Sequence, residues 1–92
     1  MHGEYKTPGG KLVAVDFDVV AGCLRGVQVT GDFFLEPPEA LDRIVQALEG
    51  MPIAEMTEES MAQRIRASLG DGVEMIGFSP EAIARAVRRA LP

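Results

Sequence analysis

Apolar and polar residues alternate most regularly between Leu12 and Val20, where Val13, Val15, Phe17 and Val19 share one side of an extended chain and Leu12, Ala14, Asp16 and Asp18 the other. That period predicts a strand with one core face and one face at least half wet. Ala21-Gly22-Cys23 interrupts it with a glycine free to take a positive φ, and alternation resumes at Leu24, Val27 and Val29. The pair reads as a β-hairpin with its turn type open, and Gly26 inside the second strand suggests a bulge or a close approach by another backbone. Phe33-Phe34-Leu35, after Gly31 and Asp32, is too short an apolar run for a helix and reads as the end of a strand or a short third one.

The period then changes. Pro37 and Pro38 set the first turn of a helix with Glu39 at its positive end, Leu41, Ile44, Val45 and Leu48 recur at helical spacing, and Gly50 stops it. Residues 51–56 form an apolar connector. Thr57 is a good N-cap, followed by Glu58 and Glu59 and a buried stripe of Met61, Ile65 and Leu69 that ends at Gly70-Asp71-Gly72. Val73 to Ile76, confined between that turn and Gly77, predicts a short strand added to the hairpin. Ser79-Pro80-Glu81 opens a last helix with Ile83, Val87 and Leu91 inward and Arg85, Arg88 and Arg89 outward. The expected fold is α+β, an antiparallel sheet led by a β-hairpin with about three helices packed on one face. Residues 1–7, polar and without period, are expected to be a flexible tail before a single domain over 8–92.

Composition narrows the function. Ninety-two residues make one domain, able to bury about 60–65% of its unfolded surface, with no room for an enzyme domain beside it. A net charge of −5, from 14 acidic and 9 basic residues, argues against nucleic acid as partner. The single cysteine excludes an internal disulfide and a multi-cysteine zinc site and fits a reducing, cytoplasmic setting, and no apolar stretch is long enough to be a signal peptide or to span a membrane.

Several stretches together resemble a known family. Pro8-Gly9-Gly10-Lys11-Leu12 leads into the hairpin, Gly31-Asp32-Phe33-Phe34 leaves it, and DGVEMIGFSPEAIARAV comes later. Their order and spacing, from about Lys6 to Leu91, resemble the small C-terminal domain of lipoate-protein ligases, which is either fused behind a large catalytic domain or made as a separate chain. This chain resembles the second arrangement. The resemblance implies a fold similar to iron–sulfur scaffold and sulfur-acceptor proteins. It also implies an accessory subunit forming a heterodimer with a catalytic ligase chain and meeting the lipoyl-acceptor carrier domain indirectly. ATP, lipoate and Mg²⁺ are then expected on the catalytic partner and no cofactor on this chain alone. The large domain's signatures, an Arg-Arg run before a triple glycine and a lysine in a Trp-Pro-Asn-Asp context, do not occur here, so no catalytic residue is assigned.

Candidate chemistry centres on Gly9, Gly10 and Lys11, where two glycines let backbone N–H groups approach an anion and Lys11 adds a point charge. It is not a P-loop: Tyr5 stands where the first glycine would be, Leu12 replaces the Ser or Thr, and a strand follows rather than a helix. With the resemblance, the loop is expected at the mouth of the partner's nucleotide pocket. Asp32 reads as a turn cap or an orienting group, and one ring of Phe33 and Phe34 as part of a docking surface. Asp16 and Asp18 share a strand face without the further oxygens a cation needs, and His2 with Glu4 belongs to the tail; no metal site is expected. The rival function is a sulfur acceptor using Cys23 at the hairpin tip, with Arg25 as the nearest cation; a non-enzymatic interaction module is a third.

Overall fold

The computed structural model describes residues 1–54 and 56–91. Glu55 of the expected connector and Pro92 at the end of the expected domain lie outside the described residues. The chain runs β1 (His2–Lys6), β2 (Leu12–Val20), β3 (Cys23–Gly31), β4 (Phe34–Glu36), α1 (Ala40–Leu48), α2 (Glu58–Leu69), β5 (Glu74–Ile76), α3 (Pro80–Ala90). This is the α+β class that the alternation and helical stripes predict.

The hairpin forms as β2 and β3, and Ala21 and Gly22 both take positive φ, 52° and 76°, the conformation of a type I′ turn, whose twist matches that of the strands it joins. The bulge is at Gly26: the register passes from Asp16 opposite Gln28 to Asp18 opposite Arg25, which leaves Gly26 and Val27 facing Phe17, and Gly26 has φ 67°. No second backbone is what occupies it. Glu49, one residue past α1, accepts from the N–H of Gly26 at 3.1 Å and of Val27 at 2.9 Å. Those two bonds, Val27 first, hold its carboxyl below the usual glutamate value.

The first seven residues are not a free tail. His2–Lys6 pairs antiparallel with β2 from His2 opposite Asp16 to Lys6 opposite Leu12, giving the sheet order β1-β2-β3. The N-terminal segment carries almost no hydrophobic signal because it is an edge strand with Glu4, Lys6 and His2 on the open face. What it offers the core is Gly3 and Tyr5. A Cβ on Gly3 would fall on the Ala86 carbonyl and 2.6 Å from the Ala90 nitrogen, so α3 lies directly against the backbone of β1. Arg85 and Arg89 stand 5.4 and 5.0 Å from the Tyr5 ring centroid.

Val13, Val15, Phe17, Leu24, Val27 and Val29 from the sheet meet Ile44, Leu48, Met61, Ile65, Ile83 and Val87 from the helices in one core, all at most 5% exposed. The opposite face of the sheet is the polar one. Pro37 and Pro38 precede α1 rather than entering it, their carbonyls accepting from Ala40 and Leu41 in a tight turn. Thr57 caps α2, its side chain and that of Ser60 exchanging bonds with each other's backbone N–H, and Ser79 caps α3. Two arginines tie α1 to α2: Arg43 donates to the Leu69 carbonyl at 3.2 Å and Arg64 to the Ala47 carbonyl at 2.7 Å, each serving a C-terminal carbonyl of the other helix.

The strand at Glu74–Ile76 does not extend the hairpin. It pairs antiparallel with Phe34–Glu36 as a separate two-stranded ribbon, Phe34 opposite Ile76 and Glu36 opposite Glu74. Gly31, at φ 155°, ends the long strand where a Cβ would strike the Leu12 carbonyl, and the chain turns out of the first sheet there.

Candidate functional site

Pro8, Gly9 and Gly10 form the turn between β1 and β2, closed by bonds from the Gly10 N–H to the Thr7 carbonyl at 2.8 Å and from the Thr7 N–H to the Lys11 carbonyl at 3.2 Å. The Lys11 N–H donates to the Gly77 carbonyl at 2.8 Å. Two of the N–H groups that an anion cradle would need are therefore already used to hold the fold. Lys11 itself is exposed. Its stem crosses Gly77, where a Cβ would come 2.5 Å from Lys11 Cγ. Glycine at 77, with φ 87°, thus makes room for that crossing.

Gly31-Asp32-Phe33-Phe34 arrives at this same end of the molecule. The Asp32 N–H donates to the Leu12 carbonyl at 3.3 Å, next to Lys11. Among the described residues no hydrogen bond reaches the Asp32 carboxylate, so the side-chain turn cap expected of it is not made; the turn is held through the backbone, and the carboxylate is exposed. The two phenylalanines part. Phe33 stacks on Phe78, ring centroids 3.9 Å apart and planes inclined by 18°, and seals the ribbon to the start of α3. Phe34 points outward, 54% exposed, beside Ile76 at 52%. Motifs separated in sequence thus converge on one end: Lys11 over Gly77, Asp32 beside it, and an outward apolar pair on the ribbon. The sequence places Ile76 at the end of a short strand and Gly77 after it, but assigns no site role to Ile76, Gly77 or Phe78. The signal for them was weak, since a three-residue strand shows little alternation and its partner strand is remote in sequence.

The remaining candidates lie elsewhere. Cys23, half-buried, begins β3 at the opposite end of β2 and pairs with Pro52 in an isolated bridge. His2 lies between two carboxylates, Nδ1 2.8 Å from Asp16 and Nε2 2.8 Å from Glu4. Those hydrogen bonds, Glu4 first, raise its pKa above 6.5. Among the described residues no group of three or more His, Cys, Asp or Glu is arranged to hold a metal ion. Of the basic stripe, Arg85 pairs with Glu58 at 2.9 Å and Arg89 reaches the Glu4 carbonyl at 3.4 Å. A cleft of about 370 Å³ runs between α2 and α3, lined by Glu58, Arg66, Glu81 and Arg85, and these charges form the Arg66–Glu81 and Arg85–Glu58 pairs. Glu59 lines it too, so both arginines of the groove are engaged and one carboxylate is left over. Among the described residues no helix is long and apolar enough to cross a membrane.

The fold and this end together define a small α+β domain, with a buried core and a polar and apolar surface gathered at one end. No family model matches the chain. It is 29% identical over 77 residues to a lipoate-protein ligase A subunit 2 of Thermoplasma acidophilum, a match spanning 84% of this chain and 77% of that protein. Among solved structures it is similar to a chain from a study of an archaeal lipoylation system, a bipartite lipoate protein ligase and its E2 lipoyl domain from Thermoplasma acidophilum. That match has TM-score 0.70 and 26% identity and covers 96% of this chain and 98% of the other. Both matches liken this chain, over most of its length, to a subunit of a lipoate-protein ligase system. Neither comparison points towards sulfur transfer.

Proposed function

We propose that this protein is the accessory subunit of a bipartite lipoate-protein ligase, required beside a separate catalytic chain for ATP-dependent activation of lipoate to lipoyl-AMP and for lipoylation of an acyl-carrier domain. The observation that carries it is the likeness to the bipartite ligase chain over nearly the full length of both. ATP, lipoate and Mg²⁺ bind on the catalytic partner, in the cytoplasm. This chain contributes surface rather than reacting atoms.

Within that reading Gly9, Gly10 and Lys11 meet the mouth of the partner's nucleotide pocket. The Gly10 and Lys11 N–H groups hold the loop in shape, and the Lys11 ammonium supplies one positive charge towards phosphate, while the loop and the Phe33–Phe78 stack exclude water. A charge in a partly dry site acts more strongly than in bulk water.

The test is lipoyl-AMP formation by a catalytic lipoate ligase chain from the same source, with ATP, Mg²⁺ and lipoate, with and without this protein. Adenylate is expected only from the mixture. Equal adenylate in both reactions, with no complex on a sizing column, would overturn the assignment. Lys11→Ala, which removes an exposed side chain, is expected to keep the fold and lower adenylate formation about ten-fold, the scale of one lost charge-assisted contact. Unchanged activation by this variant would remove Lys11 from the site.

A further inference from the structure

Phe34 and Ile76 are directly opposite each other across the β4–β5 ribbon, and the next outward pair along it is Glu36 opposite Glu74. Phe34 and Ile76 are two of only four large hydrophobic residues exposed among those described, and the other two, Met1 and Val20, are not on this ribbon. Both outward pairs are unfavourable in the free chain. The first leaves apolar surface in water, and the second sets like charges across a strand pair, which weakens it. A ribbon of three residues per strand has little stability to spare. The inward side accounts for its holding together, through Leu35, Met75 and the Phe33–Phe78 stack. The outward side adds to that only the half-exposed contact of Phe34 with Ile76. Among the described residues neither Glu36 nor Glu74 forms an ion pair; the pairs that do form involve Glu4, Asp16, Glu58 and Glu81.

We propose that this outward ribbon face docks on the catalytic subunit, against an apolar patch bearing a lysine or arginine side chain that enters between Glu36 and Glu74. The proposal rests on the bipartite-ligase reading and names the face by which it works. Charge selects the occupant. A cation relieves the carboxylate pair, and the apolar surround strengthens that attraction by excluding water. A second copy of this chain, joined through the same face by a two-fold axis, would bring four carboxylates into one contact and is disfavoured. Location supports the same choice, because Lys11 lies across Gly77, the residue after Ile76. A partner seated on the ribbon therefore meets the Lys11 loop too.

The experiment is titration calorimetry of this protein with the catalytic chain, with thermal unfolding of each free variant. Phe34→Ala with Ile76→Ala should weaken binding about ten-fold or more, as truncation of a central apolar anchor does. The Tm of the free chain should barely move. Glu74→Gln should raise the Tm of the free chain slightly, by removing like-charge repulsion, and yet weaken the complex; a purely structural role predicts no such opposition. Val20→Ala, at the other end of β2, should bind as the parent does. If the parent binds and supports adenylate formation while the ribbon variants bind equally well, this face is not the dock and the accessory function stands. If the ribbon variants instead disperse a self-associated parent without altering its affinity for the catalytic chain, the occupant is a second copy and the proposal fails. If the parent neither binds the catalytic chain nor supports activation, both proposals fall together.

Discussion

His2 bonds Asp16 of the second strand through Nδ1 and Glu4 of its own strand through Nε2, and its titration reads out whether the first strand is seated. Its folded pKa is raised, with the bond to Glu4 as the larger cause and that to Asp16 the next. Raising the pKa means that the folded state favours the protonated ring. The associated stabilisation is fully present below the ordinary value of 6.5 and is lost as pH climbs through the raised one. An NMR titration of the His2 ring should give a midpoint above 6.5, moved back towards 6.5 by Glu4→Gln or Asp16→Asn. A midpoint at or below 6.5 in the parent chain would mean that the ring does not hold both carboxylates in solution. Glu49 has the opposite sign. Its pKa is depressed by the bulge N–H groups, so its contribution is present above the ordinary value of 4.5 and fades as acid takes pH through the lowered one.

Helix ends make the next scale. Thr57 and Ser60 satisfy each other's backbone N–H groups at the start of α2, which otherwise begins with unpaired donors. Thr57→Ala should cost about 1 kcal/mol, visible as a lower urea midpoint with an unchanged m-value. A shift of under a few tenths would show the cap to be replaced by water. At the other ends of α1 and α2 the carbonyls are served by arginine side chains from the neighbouring helix, an arrangement that no local motif announces. The β4–β5 ribbon is the element most dependent on its surroundings, and its inward rings rather than its six paired residues give it a place.

At the scale of the whole molecule, the two ends of the chain close on each other. The first strand is covered by the last helix, with Gly3 under Ala86 and Ala90 and Tyr5 beside Arg85 and Arg89. Gly3→Ala forces β1 and α3 apart and should destabilise by about 1–3 kcal/mol, the cost of overpacking. For a chain of this size that lowers the Tm by roughly 4–8 °C per kcal/mol. The ribbon end is distant from Gly3, so a correctly folded Gly3→Ala chain should retain its affinity for the catalytic subunit at a temperature below its transition. Loss of binding at such a temperature would show that the seam between β1 and α3 shapes the docking end.

The α+β class, the β2–β3 hairpin and the caps at Thr57 and Ser79 were legible in the chain because each rests on residues within a few positions of one another: an alternation, a Gly at the turn, a side chain three residues from its N–H. The resemblance carried by Pro8–Leu12 and Gly31–Phe34 was legible in the same way, as short motifs in order. Three things were not. His2–Lys6 is a strand because β2 is there to pair with it and α3 to cover it, while its own residues are those of a polar tail. Glu74–Ile76 has two possible partners by pattern alone, and the turn at Gly31 and the Phe33–Phe78 stack assign it to Phe34–Glu36. The gathering of Lys11, Asp32, Phe34 and Ile76 at one end depends on both of those pairings. Local chemistry determined the elements by itself; which of them meet was decided by packing between residues far apart in the chain, and the candidate docking end exists only at that level.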